Sequence, residues 1–318
     1  MQRIDKTDLL IMRELQKNCR VTFRKIGRKV GVSYSTVKNR VQKMQRQRII
    51  DRFVMLVEPE IFGYKKVYLL ITGIDIEESN KEGEKVYRTL REAGEIMEHR
   101  VCVGQINQFG LLVRENEVEE KISILKSNTE LSLTILGIRE SGRALSHSKE
   151  LIETDYKLMH FLLKNPRAKV EDLAKAAGIT TKTVKRRLDK LMQDQAIMFR
   201  PIFRPEALRG YLMFYVLLNV RHENSSRVLQ RIRARHETYL FSEPIVQSSV
   251  IFLTLFSENI YELDRVYRLI LRASPEIEKS WLFIDIDVKV YQAWLSNELE
   301  KKLKKARQTN FKSTYRKP

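Results

Sequence analysis

Residues 4–50 read IDKTDLLIMRELQKNCRVTFRKIGRKVGVSYSTVKNRVQKMQRQRII. Leu10, Ile11 and Leu15 recur at helical spacing and predict a helix running from about Asp8, in its first turn or at its cap, to about Lys17. A second, short helix is expected over Phe23–Val30, with Phe23, Ile26 and Val30 on its apolar face. Gly31 ends it, as glycine does where a helix stops in a left-handed conformation. Ser33 has the side chain of an N-cap, and a third helix follows to about Gln47. Val37, Val41 and Met44 form its inner face, leaving Tyr34, Ser35, Lys38, Asn39, Lys43 and Arg46 outside. Helix, short helix, glycine turn and basic helix is the helix-turn-helix order. The β-rich stretch Ile49–Val57 is expected to form a wing.

The same pattern returns further along the chain. Sliding the sequence by 147 residues aligns Thr7–Tyr64 with Thr154–Tyr211 without a gap, and 16 of the 58 positions are identical. Asp8/Asp155, Leu15/Leu162, Gly31/Gly178, Val37/Val184, Lys38/Lys185 and Arg40/Arg187 are among them. In the second copy Thr180 is the cap, and Val184, Leu188 and Leu191 face inward. Lys182, Lys185, Arg186 and Lys190 face outward, and Met198–Phe203 is the second wing. The period is too long for a solenoid unit and points to a duplicated two-domain module.

An α+β segment follows each copy. The first reads as strand Lys66–Asp75, helix Asn80–Ala93, strands Ile96–Val103 and Phe109–Val113, helix Val118–Ser127 and strand Leu131–Ile138. The second reads as strand Leu212–Val220, helix Ser225–Arg235, strands Leu240–Gln247 and Val250–Phe256, helix Ile260–Ala273 and strand Trp281–Val290. Both have βαββαβ order, which gives a four-stranded antiparallel sheet with helices on one face. The bare face needs a partner, either the other half of the chain or a second chain. The fold class is α+β: two tandem units, each a winged helix-turn-helix followed by a ferredoxin-like domain. The expected boundaries are 1–60, 61–150, 151–207 and 208–300, with a basic tail over 301–318.

Charge follows these boundaries. The 318 residues hold 59 Lys+Arg against 40 Asp+Glu, a formal net charge of +19. Residues 1–50 carry +11 and 151–204 carry +6, whereas 51–150 and 205–300 are slightly acidic at −4 and −2. The tail, residues 301–318, carries +8. Surplus charge concentrated in two helical blocks and a tail favours discrete polyanion-binding modules. No apolar run reaches the length of a membrane span, and the N-terminus does not read as a secretory signal. Cys19 and Cys102 are too far apart and too few for a disulfide scaffold or a cysteine zinc site, which fits a reducing cytoplasm. Cys102, between two valines, reads as a small buried hydrophobe. No phosphate loop, nucleophile elbow or HExxH motif is present. No catalytic residue, metal ligand or cofactor is therefore expected.

Double-stranded DNA is the partner this pattern suits. A helix fits the major groove, and short polar residues at its N-terminus can approach base edges. Ser33, the cap, and Tyr34, Ser35, Lys38 and Asn39 are placed for that role. Arg40, Lys43 and Arg46 are expected to contact phosphate or anchor the helix. In the second copy the candidates are Thr181, Lys182, Lys185, Arg186, Arg187 and Lys190. Between Ser33 and Arg48 there is no acid, whereas an ordinary solvated face would mix signs.

The opening block resembles the Lrp/AsnC (leucine-responsive/asparagine-type) transcription regulators. The resemblance is carried by Ile4-Asp5, the Leu9–Leu15 helix, the Gly31-Val32-Ser33 turn and Val37–Arg40. It extends over almost the whole chain, twice, to about residue 300. It implies a cytoplasmic, nucleoid-associated transcription regulator that forms homo-oligomers through its βαββαβ domains. It also implies a small effector such as an amino acid, bound near the turn between the second and third strands. There the first copy reads CVGQINQFG, placing Gly104, Gln105 and Asn107 as effector-binding candidates. Asn107 stands where the family has an acid, and the second copy lacks the glycine. A nucleoid-architectural protein is the alternative within DNA binding. The siroheme decarboxylases, which resemble this family and depend on histidines, are the alternative as an enzyme. The five histidines here, His99, His147, His160, His222 and His236, form no close pair in sequence.

Overall fold

The structure, a computed structural model, describes residues 3–74, 76, 80–128, 131–139, 151–247 and 249–314. Its first three helices are α1 (Lys6–Lys17), α2 (Phe23–Val30) and α3 (Tyr34–Arg46). Asp5, not Asp8, caps α1. Its carboxylate accepts from the Asp8 amide at 2.8 Å, and Asp8 accepts in return from the Asp5 amide at 3.3 Å, a reciprocal capping box. Gly31 takes φ 78° between α2 and α3, where a side chain would be strained. The chain continues through β1 (Ile50–Val57), β2 (Tyr64–Thr72), α4 (Lys81–Ala93), β3 (Glu95–Cys102), β4 (Ile106–Arg114), α5 (Val118–Ser127) and β5 (Leu133–Arg139). The second half repeats the order as α6 (Glu153–Lys164), α7 (Val170–Ala177), α8 (Thr181–Gln193), β6 (Ile197–Phe203), β7 (Leu212–Val220), α9 (Ser225–His236), β8 (Ile245–Gln247), β9 (Val250–Ser257), α10 (Ile260–Leu271) and β10 (Ile277–Val290). A final helix, α11 (Ala293–Thr314), closes the described chain.

The stretches expected to be separate wings are instead one ribbon. β1 and β6 pair antiparallel as a two-stranded sheet. Phe53 lies opposite Pro201 and Val54 opposite Arg200. Subtracting the 147-residue offset turns these partners into positions 54 and 53. The ribbon therefore has a local two-fold axis between Phe53 and Val54, the self-complementary geometry that two identical chains use to pair. The amide of Cys19 donates to Phe199 at 2.9 Å, Glu58 to Ala196 at 2.9 Å, and Arg204 to Ile49 at 3.0 Å. Ile11, Leu15, Leu158, Leu162 and Phe199 belong to one shared core. The Arg20 guanidinium crosses the seam to the carbonyls of Pro166 (2.6 Å) and Ala168 (2.9 Å).

Each α+β half has its expected sheet. The strand orders β5-β2-β4-β3 and β10-β7-β9-β8 are the same arrangement in the two halves. Side chains alternate across each strand. Val67, Leu69 and Ile71 of β2 face a core with Val86 and Leu90 of α4. Phe214, Val216 and Leu218 of β7 face Val228 of α9 and Val266 of α10. The opposite faces meet each other through Leu70, Cys102, Leu217 and Phe283, and the Tyr68 and Phe252 rings lie 5.9 Å apart. The bare faces are thus partnered within the chain, where the resemblance had placed contacts between copies.

β10 joins the halves edge to edge as well. Its first part pairs with β7, and Asp285–Val290 pairs with β3 after an irregularity between Asp285 and Asp287. At that point Arg100 donates to Asp285 at 2.9 Å and lies 4.6 Å from the Tyr215 ring centroid. Burial pushes the Asp285 carboxyl up, and Arg100 offsets part of that.

Several boundaries differ from expectation. β8 is three residues long, and Leu240 makes only an isolated bridge to Leu255. Asp75, His147 and the expected boundary at residue 150 lie outside the described residues. The expected boundary at residue 300 falls inside α11, so the tail begins as a helix and not as a free end. Trp294 of α11 lies between Phe62 and Tyr64, with ring centroids 6.1 and 6.0 Å away. The buried Glu298 carboxylate accepts from the Tyr64 hydroxyl (3.1 Å) and Arg114 (2.8 Å).

Candidate nucleic-acid interface

Val37, Val41 and Met44 are buried and seat α3 on the core, as the periodicity predicts. Val184, Leu188 and Leu191 do the same for α8. The N-caps also form as expected. Ser33 Oγ accepts from the Thr36 amide at 3.0 Å, and Thr180 Oγ1 from the Thr183 amide at 3.2 Å. Ser33 is thereby occupied, and its hydroxyl shares a further hydrogen bond with Ser35 Oγ at 2.8 Å. Tyr34, Ser35, Lys38, Asn39 and Arg46 are exposed on α3, and Lys43 is half-buried. Thr181, Lys182, Lys185, Arg186 and Lys190 are exposed on α8. An open cleft of about 510 Å³ lies beside α3, lined by Thr36, Asn39, Lys43 and Arg46 with Asp5, Asp8 and Arg40.

Two of the expected DNA-contacting arginines turn inward. Arg40 donates to Asp5 at 2.7 Å and to Asp8 at 2.8 Å. Arg187 engages both oxygens of Asp155, with Nε at 2.6 Å from Oδ1. Each guanidinium ties a recognition helix to the first helix of its unit. For Arg40, and for Arg187 as its equivalent in the second copy, this is the anchoring geometry, one of the two roles expected of them. Burial pushes Asp5 up, but the Asp8 amide and Arg40 outweigh it and hold the carboxyl below its ordinary value. The sequence did carry the signal. Both acid–arginine pairs are 32 residues apart and identical in the two copies.

The effector candidates are not brought together. Gly104 (φ 84°) and Gln105 (φ 55°) form the exposed turn between β3 and β4. Asn107 lies in β4 and is buried. Its Nδ2 donates to the Ile74 carbonyl at 3.0 Å, which turns Oδ1 toward His99 Nε2, also at 3.0 Å. In the neutral ring Nε2 is then the donor, and Nδ1 accepts from the Tyr87 hydroxyl at 2.6 Å. His99 is fully buried and stacks on Phe109 at 4.1 Å. This histidine–asparagine network was not foreseen, because its members lie on three elements. Among the described residues, no group of three or more His, Cys, Asp or Glu could hold a metal ion. No helix there is long and apolar enough to cross a membrane.

Comparison with known proteins follows the duplication. The model of the AsnC-type helix-turn-helix domain matches residues 4–45 and again 153–192. The regulatory protein AsnC of Haemophilus influenzae is 30% identical over 131 residues, 41% of this chain and 85% of that protein. An uncharacterized HTH-type transcriptional regulator of Pyrococcus horikoshii is 29% identical over 158 residues, 46% of this chain and 99% of its own length. One such regulator thus corresponds to about half of this chain. Among solved structures, the siroheme decarboxylase NirDL superposes with a TM-score of 0.51 at 14% identity, covering 96% of this chain and 99% of that one. That likeness concerns the fold alone. With two AsnC-type helix-turn-helix domains, each followed by its own βαββαβ domain, the chain belongs to the Lrp/AsnC family as two family units in one polypeptide.

Proposed function

We propose that this protein is a DNA-binding transcription regulator whose helices α3 and α8 enter the major groove. The observation that carries the reading is the acid-free outer face of α3, presented in the open while its inner face is locked to the core. Tyr34, Ser35, Lys38 and Asn39 read base edges, and Lys43 and Arg46 meet phosphates. On α8 the same work falls to Thr181, Lys182, Lys185, Arg186 and Lys190. Arg40 and Arg187 hold the helices at the presented angle. The relatives named as transcriptional regulators support this reading, and support a non-enzymatic role.

The same reading places the protein in the cytoplasm on the nucleoid, with the βαββαβ domains as the modulatory part. A small effector such as an amino acid would act there, beside the exposed Gly104–Gln105 turn. Homo-oligomers of this chain would form through surfaces other than the sheet faces already in contact. Selecting genomic fragments with the purified protein at near-physiological salt tests the reading. A shared motif bound at least ~10³-fold more tightly than random DNA is expected. Uniform, steeply salt-dependent binding would favour an architectural protein. Failure to bind, together with a visible tetrapyrrole absorption band, would favour the enzyme. Repeating the titration with each amino acid tests for the effector.

A further inference from the structure

We infer that one chain is a complete reader of a non-palindromic DNA site, α3 and α8 taking unlike halves at a fixed spacing. This rests on the DNA-binding reading above. The two-fold register of the β1–β6 ribbon relates the two helix-turn-helix units as two chains of a dimer would be related. The surfaces for such pairing, the ribbon edges and the bare sheet faces, are used within the chain.

The seam is stiff. Arg20 spans it with two hydrogen bonds and lies 5.1 Å from the Phe199 ring centroid. Its equivalent in the repeat, Arg167, lies 4.6 Å from the Phe23 centroid and 5.0 Å from that of Phe53. Both units share one hydrophobic core. The helices therefore cannot move apart to suit a different half-site spacing without breaking packed contacts.

The two reading faces differ where it matters. Residues that fix each helix are either identical between copies, as in Asp8/Asp155, Val37/Val184 and Arg40/Arg187, or exchanged for another apolar residue, as in Val41/Leu188 and Met44/Leu191. Exposed residues are mostly exchanged: Tyr34 for Thr181, Ser35 for Lys182 and Asn39 for Arg186. The last exchange changes the preferred base. Asn pairs bidentately with adenine N6 and N7, and Arg with guanine O6 and N7. The α3 half-site should therefore carry adenine where the α8 half-site, at the equivalent step, carries guanine.

The test takes the full chain and the best fragment from the selection. Sedimentation of the complex should give one chain per site. Asn39→Arg should exchange adenine for guanine in one half only, by about 5- to 150-fold, and Arg186→Asn should make the reverse exchange in the other half. The doubly exchanged protein should prefer the inverted site. Inserting five base pairs between the halves should lower affinity at least tenfold. Ser35→Lys, an exposed exchange, provides a second route should Asn39→Arg fold poorly, and should again alter one half alone. A palindromic motif bound by two chains, or variants that alter both halves equally, would overturn the inference while leaving DNA binding intact. Absence of any DNA binding would overturn the underlying reading as well.

Discussion

Arg187 of α8 grips Asp155 of α6, a carboxylate with no exposed side-chain surface, while Arg187 itself is 14% exposed. In the first copy Arg40 makes the same contact to Asp8, but there the arginine is 31% exposed and shared with Asp5. Removing one member of a buried pair strands the other charge, at a cost of about 3–5 kcal/mol. Arg187→Ala should lose stability on that scale in chemical denaturation. Arg40→Ala, in a wetter site, should lose about 1–2 kcal/mol. Equal losses would contradict the difference in burial.

Lys38 and Lys43 should behave in the opposite way. Lys43→Ala should weaken binding to all DNA sequences and reduce the salt slope by about 0.9 for the lost phosphate contact, whereas Lys38→Ala should relax the preference for one base. At the exposed Lys38, stability should change by no more than about 0.5 kcal/mol, as for surface substitutions generally. An unchanged salt slope would remove Lys43 from the phosphate contacts.

Arg20→Ala tests the seam. It deletes both hydrogen bonds to the carbonyls of Pro166 and Ala168. We expect a loss of about 2–4 kcal/mol in calorimetry. Half-sites moved apart should also be better tolerated than by the unaltered protein, which band-shift titrations on spaced fragments would measure.

Acid should loosen the hold of α11. Burial pushes Glu298 up, but hydrogen bonds from Lys301 and Tyr64, with the charge of Arg114, outweigh it and hold the carboxyl below its ordinary value of 4.5. A carboxyl depressed in the folded state adds stability that is complete above its unfolded value and lost as pH falls through its folded one. Glu298→Gln should therefore lower stability at neutral pH and flatten the acid limb of a stability–pH curve below 4.5. A parallel, merely displaced curve would exclude this linkage.

Both thiols should be silent in the native protein. Burial pushes Cys19 up to about 11. Burial and the neighbouring Asp285 carboxylate push Cys102 up as well. A thiol-disulfide reagent at pH 8 should react with neither until denaturant is added, since the thiolate is the reactive form. Rapid modification of the native protein would show that the core around either cysteine opens.

The local structure was legible because it is written in local periodicity. Val37, Val41 and Met44 sit at helical spacing, Ser33 and Thr180 are cap residues, and β2 alternates its faces. What could not be read depends on pairings with no local signature. β1 meets β6 across nearly 150 residues of chain, and nothing in the composition of a single strand names its neighbour. The burial of Glu298 likewise needed Tyr64 and Arg114, which lie 234 and 184 residues earlier. The repeat offered one clue beyond periodicity. Identity between copies marked the ion pairs that hold each unit together, as for Asp8 with Arg40, and exchange marked much of the exposed reading face, as for Asn39 and Arg186, though Lys38 and Lys185 are identical and exposed. Asn107 could not be told from its exposed neighbours Gly104 and Gln105, because its burial depends on His99 and Ile74, which lie outside the turn.

The ribbon has a consequence for how the protein responds to scarcity. Two separate chains associate by mass action, so far below their dissociation constant a tenfold dilution leaves roughly a hundredfold fewer pairs. β1 and β6 belong to one polypeptide, so their association is intramolecular and its extent does not change with dilution. The number of paired helix sets then rises in direct proportion to the number of chains made. A handful of molecules per cell would carry the same fraction of assembled readers as several thousand, and each would be assembled as soon as it had folded.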